Sequence, residues 1–309
     1  MAMGLSIGIG IPNGELTFNQ GGGLDGTSFI TTWRTTTSNE TITIPTNGSG
    51  YNYNITTSDG QSFTSLIGSK TITFATAGDY DVSISGDFPS IYFANVGDKT
   101  KLIDIKQWGN IVWKSFERAF RGCSNLVGSF TDAPNLTNVT DFSRIFQSCS
   151  SFNQPIGDWD VSNVTGMAFM FNGASSFNQP IGDWVVSNVT NVFSMFQAAT
   201  SFDHPLNNWD ISSLTTTSRM FFNATAFNQD LNNWDISNIT STDLMFRGAS
   251  SFNQDLSDWN IINVTNFNDF ARSTTFSTTN YDAILIGWEA TLQATFPNGS
   301  GYTPTISIN

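Results

Sequence analysis

The chain has 309 residues, a formal net charge of −13 and only 12% charged side chains, against 27 phenylalanines and nine tryptophans. That length accommodates two domains. The acidity argues against a nucleic-acid partner and an anionic membrane surface, and no run reaches the roughly 18 apolar residues that insertion in a membrane as a helix requires.

Residues 1–27 hold eight glycines, and Leu5, Ile7, Ile9 and Ile11 alternate with Gly or Ser. Such a strip is either a flexible tail or an assembly segment that adds as a strand to another subunit. No secretory leader is expected, because the first basic residue is Arg34 and the short apolar part lacks a small-residue cleavage site. Residues 28–100 read as a small all-β sandwich. Tyr51-Tyr53-Ile55, Ile72-Phe74 and Tyr80-Val82-Ile84 alternate, with turn residues at Asn47-Gly48, Asp59-Gly60 and Gly78-Asp79. Lys99, Lys101, Lys106, Lys114, Arg118 and Arg121 are half of the twelve basic residues; beyond them four arginines face fifteen acids. This cluster is either a solvated entry to the repeats or a docking surface for an acidic partner.

Residues 101–277 are organised by a period of 25, carried by Trp159, Trp184, Trp209, Trp234 and Trp259. Phe152, Phe177, Phe202, Phe227 and Phe252 keep the same step, as do Phe146, Phe171, Phe196, Phe221 and Phe246. A fixed period of this size predicts units that bury their apolar faces by stacking. Within one unit, Trp159, Val161 and Val164 against Asp160 and Ser162 suggest a short strand. Met167, Met170, Phe171 and Ala174 suggest helical turns, and Phe177 leads into a polar turn over 178–183. Two degenerate units, at Trp108 and Pro134, precede the regular ones. The expectation is a β-rich α/β solenoid of seven coils. In residues 278–309, a cap, Tyr281, Ile284, Leu285 and Trp288 have the spacing of an amphipathic helix. A turn over Pro297–Tyr302 and a strand over Thr305–Ile308 complete the chain.

Chemistry is sparse. The single histidine, His204, replaces a repeated Gln, and no metal cluster surrounds it. Acid pairs such as Asp158 and Asp160 stack in register, but drift to Asn between units. They are read first as a structural ladder, with calcium and glycoside cleavage as lesser readings, so no cofactor is expected. The repeated Asn-x-Thr tripeptides are read as ladder chemistry. Cys123 and Cys149 fill a slot that is Ala in later units; two small buried thiols is the first reading, and a disulfide between neighbouring units, roughly 5 Å apart, is the alternative. The outward residues of the expected strands form the expected ligand-binding face: Asp160, Ser162, Val185, Ser187, Asp210, Ser212, Asp235, Ser237, Asn260 and Ile262.

The stretches FNQPIGDWDVSNVTGMAFMF and FNQDLNNWDISNITSTDLMF resemble BspA-type leucine-rich repeats, also called the Mycoplasma-lipoprotein repeat. Asn280–Trp288 is similar to the segment that often closes such arrays. Residues 74–84 resemble the closing strands of PKD-type sandwiches, with Thr57-Ser58-Asp59-Gly60 in place of that family's W-G-D-G turn. Gly4–Pro12 resembles the start of some bacteriophage virion proteins. The resemblance implies a surface-displayed binding or adhesion protein and fixes no ligand. The expected function is non-enzymatic: a phage receptor-binding spike or tail protein on the virion surface, with a bacterial cell-surface adhesin as the alternative and a polysaccharide-acting enzyme third. Its expected partners are a host cell-surface glycan or protein, other virion proteins through the N-terminal segment, and, in a homo-oligomer, further copies of itself.

Overall fold

The computed structural model describes residues 24–296. Leu5, Ile7, Ile9 and Ile11, and the turn and strand expected after residue 296, lie outside the described residues. Among the described residues all the extended strands lie before Trp108: β1 Phe29–Thr35, β2 Glu40–Ile44, β3 Asn52–Thr57, β4 Ser62–Leu66, β5 Lys70–Phe74, β6 Gly78–Asp87 and β7 Leu102–Gln107. Five form an antiparallel sheet in the order β4-β3-β6-β1-β7, and β2 pairs with β5 in a second. Period-two alternation explains the packing: Tyr53 and Ile55, Ile72 and Phe74, Val82 and Ile84 all point inward and are buried, together with Ile42 and Ile44.

The expected break at residue 100 falls before β7, which belongs to the first sheet. On one side β7 pairs with β1; on the other its Ile103 and Ile105 carbonyls accept from the Val127 and Ser129 N–H groups at 3.0 and 2.8 Å. Phe29, Phe88, Trp108, Trp113 and Phe116 fill the junction with ring contacts of 5.0–6.4 Å. The β-domain and the repeats therefore share one core.

The expected α/β solenoid is overturned. Regular sheet is antiparallel and ends at Gln107, and the next regular element is the helix α1, Thr278–Thr295. Between them the described residues hold turns and isolated parallel bridges such as Asp141↔Gly166 and Gly166↔Asn191, with no solenoid sheet and no helix in any unit. The reason lies in the backbone. One residue per unit is left-handed, with φ of 47–63°, at Arg118, Arg144, Phe169, Ser194, Arg219, Leu244 and Asp269. Four residues later the left-handed conformation recurs at Gly122, Ser148, Gly173, Ala198, Asn223, Gly248 and Ser273, and a right-handed helix cannot run through either position.

The N–H groups are divided accordingly. Met170, Asn172 and Ala174 donate three residues back, closing tight turns, while Met167, Phe169, Phe171 and Gly173 donate to Asn191, Phe193, Met195 and Gln197 carbonyls of the next unit at 2.8–2.9 Å. The expected strand is a turn as well: Asp160 Oδ1 accepts from Ser162 N–H at 3.1 Å, and Val164 N–H donates to the Val161 carbonyl at 2.9 Å. The inward pattern of Trp159, Val161 and Val164 survives because the turn, too, sends every second or third side chain to the core.

Side chains stack along the repeats. Phe196, Phe221 and Phe246 lie 5.5 Å apart and within 3° of parallel, and Phe202, Phe227 and Phe252 lie 6.0 Å apart. Each later indole reaches back one unit: Trp184, Trp209, Trp234 and Trp259 donate from Nε1 to Ile156, Ile181, Leu206 and Leu231 carbonyls at 2.9–3.1 Å. Trp288 continues the series from α1, donating to the Leu256 carbonyl at 2.8 Å. The helix is capped by Ser277 and buries Ile284 and Trp288, whereas Leu285, expected on the inner face, is exposed.

Candidate functional site

The expected ligand-binding residues do form a row. Asp160, Val185, Asp210, Asp235 and Asn260 are exposed at equivalent positions of five successive units, and Val185 is 59% exposed. Of the second members, Ser162, Ser187, Ser237 and Ile262 are half-buried and Ser212 is exposed. Each acid is also a turn cap: Asp210 and Asp235 Oδ1 accept from Ser212 and Ser237 N–H at 3.0 and 2.9 Å, and Asn260 Oδ1 does the same for Ile262 at 3.4 Å. Hydrogen bonding from Ser162, Ser212 and Ser237, through the side chain first and the backbone next, holds Asp160, Asp210 and Asp235 below the ordinary carboxylate range.

A ladder runs beside the row. Asn163, Asn188, Asn238 and Asn263 donate from Nδ2 to Thr137, Ser162, Ser212 and Ser237 carbonyls of the preceding unit at 2.7–3.3 Å. Thr165, Thr190, Thr240 and Thr265 donate from N–H and hydroxyl to the preceding Thr carbonyl. The Asn-x-Thr tripeptide thus works as the rung between units. His204 sits in a second ladder, its Nε2 3.2 Å from the Asn178 carbonyl, where Gln179, Gln229 and Gln254 bond their own preceding units. Asp258 is tied to Asn232 through both its N–H and its carboxylate. Among the described residues no three His, Cys, Asp or Glu side chains converge as a metal site would require.

Cys123 and Cys149 are both free and buried. The Cys149 thiol donates to the Phe120 carbonyl at 3.0 Å, and burial pushes both thiols above their ordinary range. The basic cluster divides. Lys101 pairs with Glu40 and Asp98, Lys106 with Asp81, and Lys99 caps the Asn95 carbonyl. Arg118 donates to the Tyr92 hydroxyl at 2.9 Å and pairs with Glu117 at 3.3 Å, whereas burial, and then the charges of Arg144 and Arg118, lower the Arg121 pKa. Lys106, Asp81, Asp104, Arg34 and Asp79 line an open groove of about 800 Å³ where the β-domain meets the repeats. Its charges are largely mutually paired.

The sequence shows Arg118 and Arg121 in the basic cluster and four further arginines beyond it, but their shared slots emerge only when the charges are placed on the 25-residue frame. Arg118, Arg144 and Arg219 share the first left-handed slot, and Arg121, Arg247 and Arg272 share a slot three residues on. Half-buried phenylalanines lie between: Arg144 Cζ is 4.5 Å from the Phe169 ring centre, Phe169 and Phe193 are 5.2 Å apart, and Arg219 Cζ is 5.8 Å from Phe193.

What these residues define is a ladder of turn-built units fused to an antiparallel β-domain. Residues 114–225 and 204–290 match the family described as "Mycoplasma protein of unknown function, DUF285". Together the matches cover more than half of the chain, and the chain belongs to that family. Its association with Mycoplasma is loosely consistent with surface repeat proteins of BspA type, while no leucine-rich repeat family is matched. No curated protein and no solved structure matches the chain.

Proposed function

We propose that the chain is a non-enzymatic recognition protein of the BspA surface type, and that its repeats attach to a glycan or protein on a cell surface. The observation that carries the reading is the row from Asp160 to Asn260: equivalent outward positions, each held by a side-chain-to-backbone hydrogen bond wherever it is Asp or Asn, vary between Asp, Val and Asn while the buried positions hardly change. A rigid frame with a variable outer row suits recognition. In this reading the β-domain, PKD-like in sequence, is a spacer, and the setting is a bacteriophage virion attaching to its host. A bacterial cell-surface adhesin is the second reading, favoured by the family's Mycoplasma description.

Fluorescently labelled protein is to be measured on a broad panel of intact bacterial cells, mycoplasmas among them. Saturable binding to some cells, weakened in the D160N/D210N/D235N variant, is expected. Asn preserves the turn cap, as Asn260 does naturally, so the variant removes charge alone. Binding to no cell would overturn the recognition reading, and undiminished binding of the variant would overturn the row. Density-gradient separation of particles from envelopes in the native source then distinguishes virion from adhesin.

A further inference from the structure

From Ser115 onward the chain has six basic residues besides His204, and all six are arginines confined to two slots of the repeat. In a protein with 25 acids, Arg121, Arg144 and Arg219 have no ion-pair partner among the described residues, whereas Arg247 and Arg272 share Asp269. Burial, and then the charges of Arg144 and Arg118, depress the Arg121 guanidinium. Arg144, Phe169, Phe193 and Arg219 come from four successive units and line up as cation, ring, ring and cation, the two rings meeting edge to face at 66°.

We propose that this arginine-and-phenylalanine face binds an acidic polysaccharide, its carboxylates on Arg121, Arg144 and Arg219 and its sugar rings against Phe169 and Phe193. The proposal goes beyond the recognition reading and places a further ligand contact on a face other than the aspartate row. Guanidinium forks match carboxylates in geometry, and rings half-exposed between them offer apolar faces to sugar C–H groups. Asn172 and Gln197, half-buried in the Arg121 slot of their own units, supply amides for hydroxyls. The main chain speaks against an acidic peptide. The N–H groups of Met167, Phe169, Phe171 and Gly173 are all spent on the next unit, so no peptide strand can add here and recognition falls to side chains.

The full chain is to be titrated calorimetrically with polygalacturonate, with neutral dextran and with poly-glutamate. Wild-type protein is expected to bind polygalacturonate, more weakly as salt rises, and to ignore dextran. The R144Q/R219Q variant should lose affinity by about tenfold or more, since two charge-assisted hydrogen-bonding groups are removed. D160N/D210N/D235N should keep it. Should R144Q/R219Q fail to fold, as judged by near-ultraviolet circular dichroism, R121Q carries the test, because that side chain stacks on no ring. Absence of polygalacturonate binding, equal binding by the arginine variants, or equal binding of poly-glutamate overturns the proposal. Cell binding without polygalacturonate binding sinks this inference alone; polygalacturonate binding without cell binding sinks the cell-recognition reading and leaves the site standing.

Discussion

Replacing Trp234 by Phe and Trp113 by Phe makes the same chemical change in two differently satisfied places. Both side chains are buried, Trp234 at 3% and Trp113 at 0% exposure. Trp234 Nε1 donates to the Leu206 carbonyl at 2.9 Å, and that carbonyl also accepts from Trp209 N–H at 3.0 Å, so losing the indole leaves it with one partner. The lost bond costs about 1 kcal/mol, and the smaller ring leaves a void worth roughly 1–2 kcal/mol more. Trp113 Nε1 is buried with no partner. There the void costs about the same, but removing an unsatisfied donor returns roughly 1–3 kcal/mol, so the net change is about zero. At about 2–4 °C per kcal/mol, W234F should lower the calorimetric melting temperature by roughly 4–12 °C and W113F should leave it nearly unchanged. Equal losses in the two variants would refute the argument that the indole ladder, and not ring volume alone, ties unit to unit.

Further outcomes are expected. Burial raises the Asp25 carboxyl, but hydrogen bonds from the Ser28 hydroxyl and N–H, the Thr27 N–H and the Gln107 amide outweigh it and hold the group at about 2. A depressed folded value means that the stabilisation is present above the ordinary value of about 3.9 and is lost as pH falls towards 2. Acid denaturation of D25N, followed by far-ultraviolet circular dichroism, should therefore be less steep across that window; an unchanged profile would refute the assignment. Cys123 and Cys149 should each take up an alkylating label in denaturant without reductant, and neither in native protein, as read by intact mass. Each should tolerate Ala, the natural occupant of that slot in four later units, with a loss of about 1 kcal/mol or less. Gly287→Ala sets two effects against each other. It improves helix propensity by about 1 kcal/mol, yet its Cβ would lie 2.4 Å from the Ser257 carbonyl oxygen. The clash should win: hydrogen exchange over Trp259–Phe276 should quicken as α1 lifts away, and slower exchange would show that the helix is not seated there.

The sequence announced burial more faithfully than it announced backbone. Trp159, Val161, Val164, Met167, Met170, Phe171, Ala174 and Phe177 are all buried as the 25-residue period implies. But spacings of two, three and four are shared by strands, helices and tight turns, and here the turns own them. Nothing in Arg144, Phe169, Ser194 or Leu244 marks a left-handed residue; the conformation is imposed by the units on either side. The second left-handed slot was partly legible, since Gly122, Gly173 and Gly248 occupy it, although Ser148, Ala198, Asn223 and Ser273 do so too. Of the expected binding row, its positions and exposure were legible in the sequence, and its capping bonds were only hinted at by Asp and Asn two residues before Ser or Ile.

The division of labour within each unit explains why the arginine face was harder to see than the aspartate row. Inward positions repeat because every unit must fit the same neighbour, and Phe221, Phe246 and their partners leave no room for change. The Asx and Asn-x-Thr positions repeat because they satisfy main-chain groups that have no helix or sheet to join. The left-handed slot makes no uniform demand on its side chain, since its own N–H is already bonded to the next unit: Arg144 to Ala168, Phe169 to Phe193, Arg219 to Asp243; it is buried where Ser194 and Leu244 occupy it, and half-buried or exposed at the arginines. Its side chain is therefore free to differ from unit to unit, and it does: Arg, Arg, Phe, Ser, Arg, Leu, Asp. A position with no uniform structural duty, yet holding three of the six arginines after Lys114 in an acidic chain, is where a ligand's chemistry has room to be written.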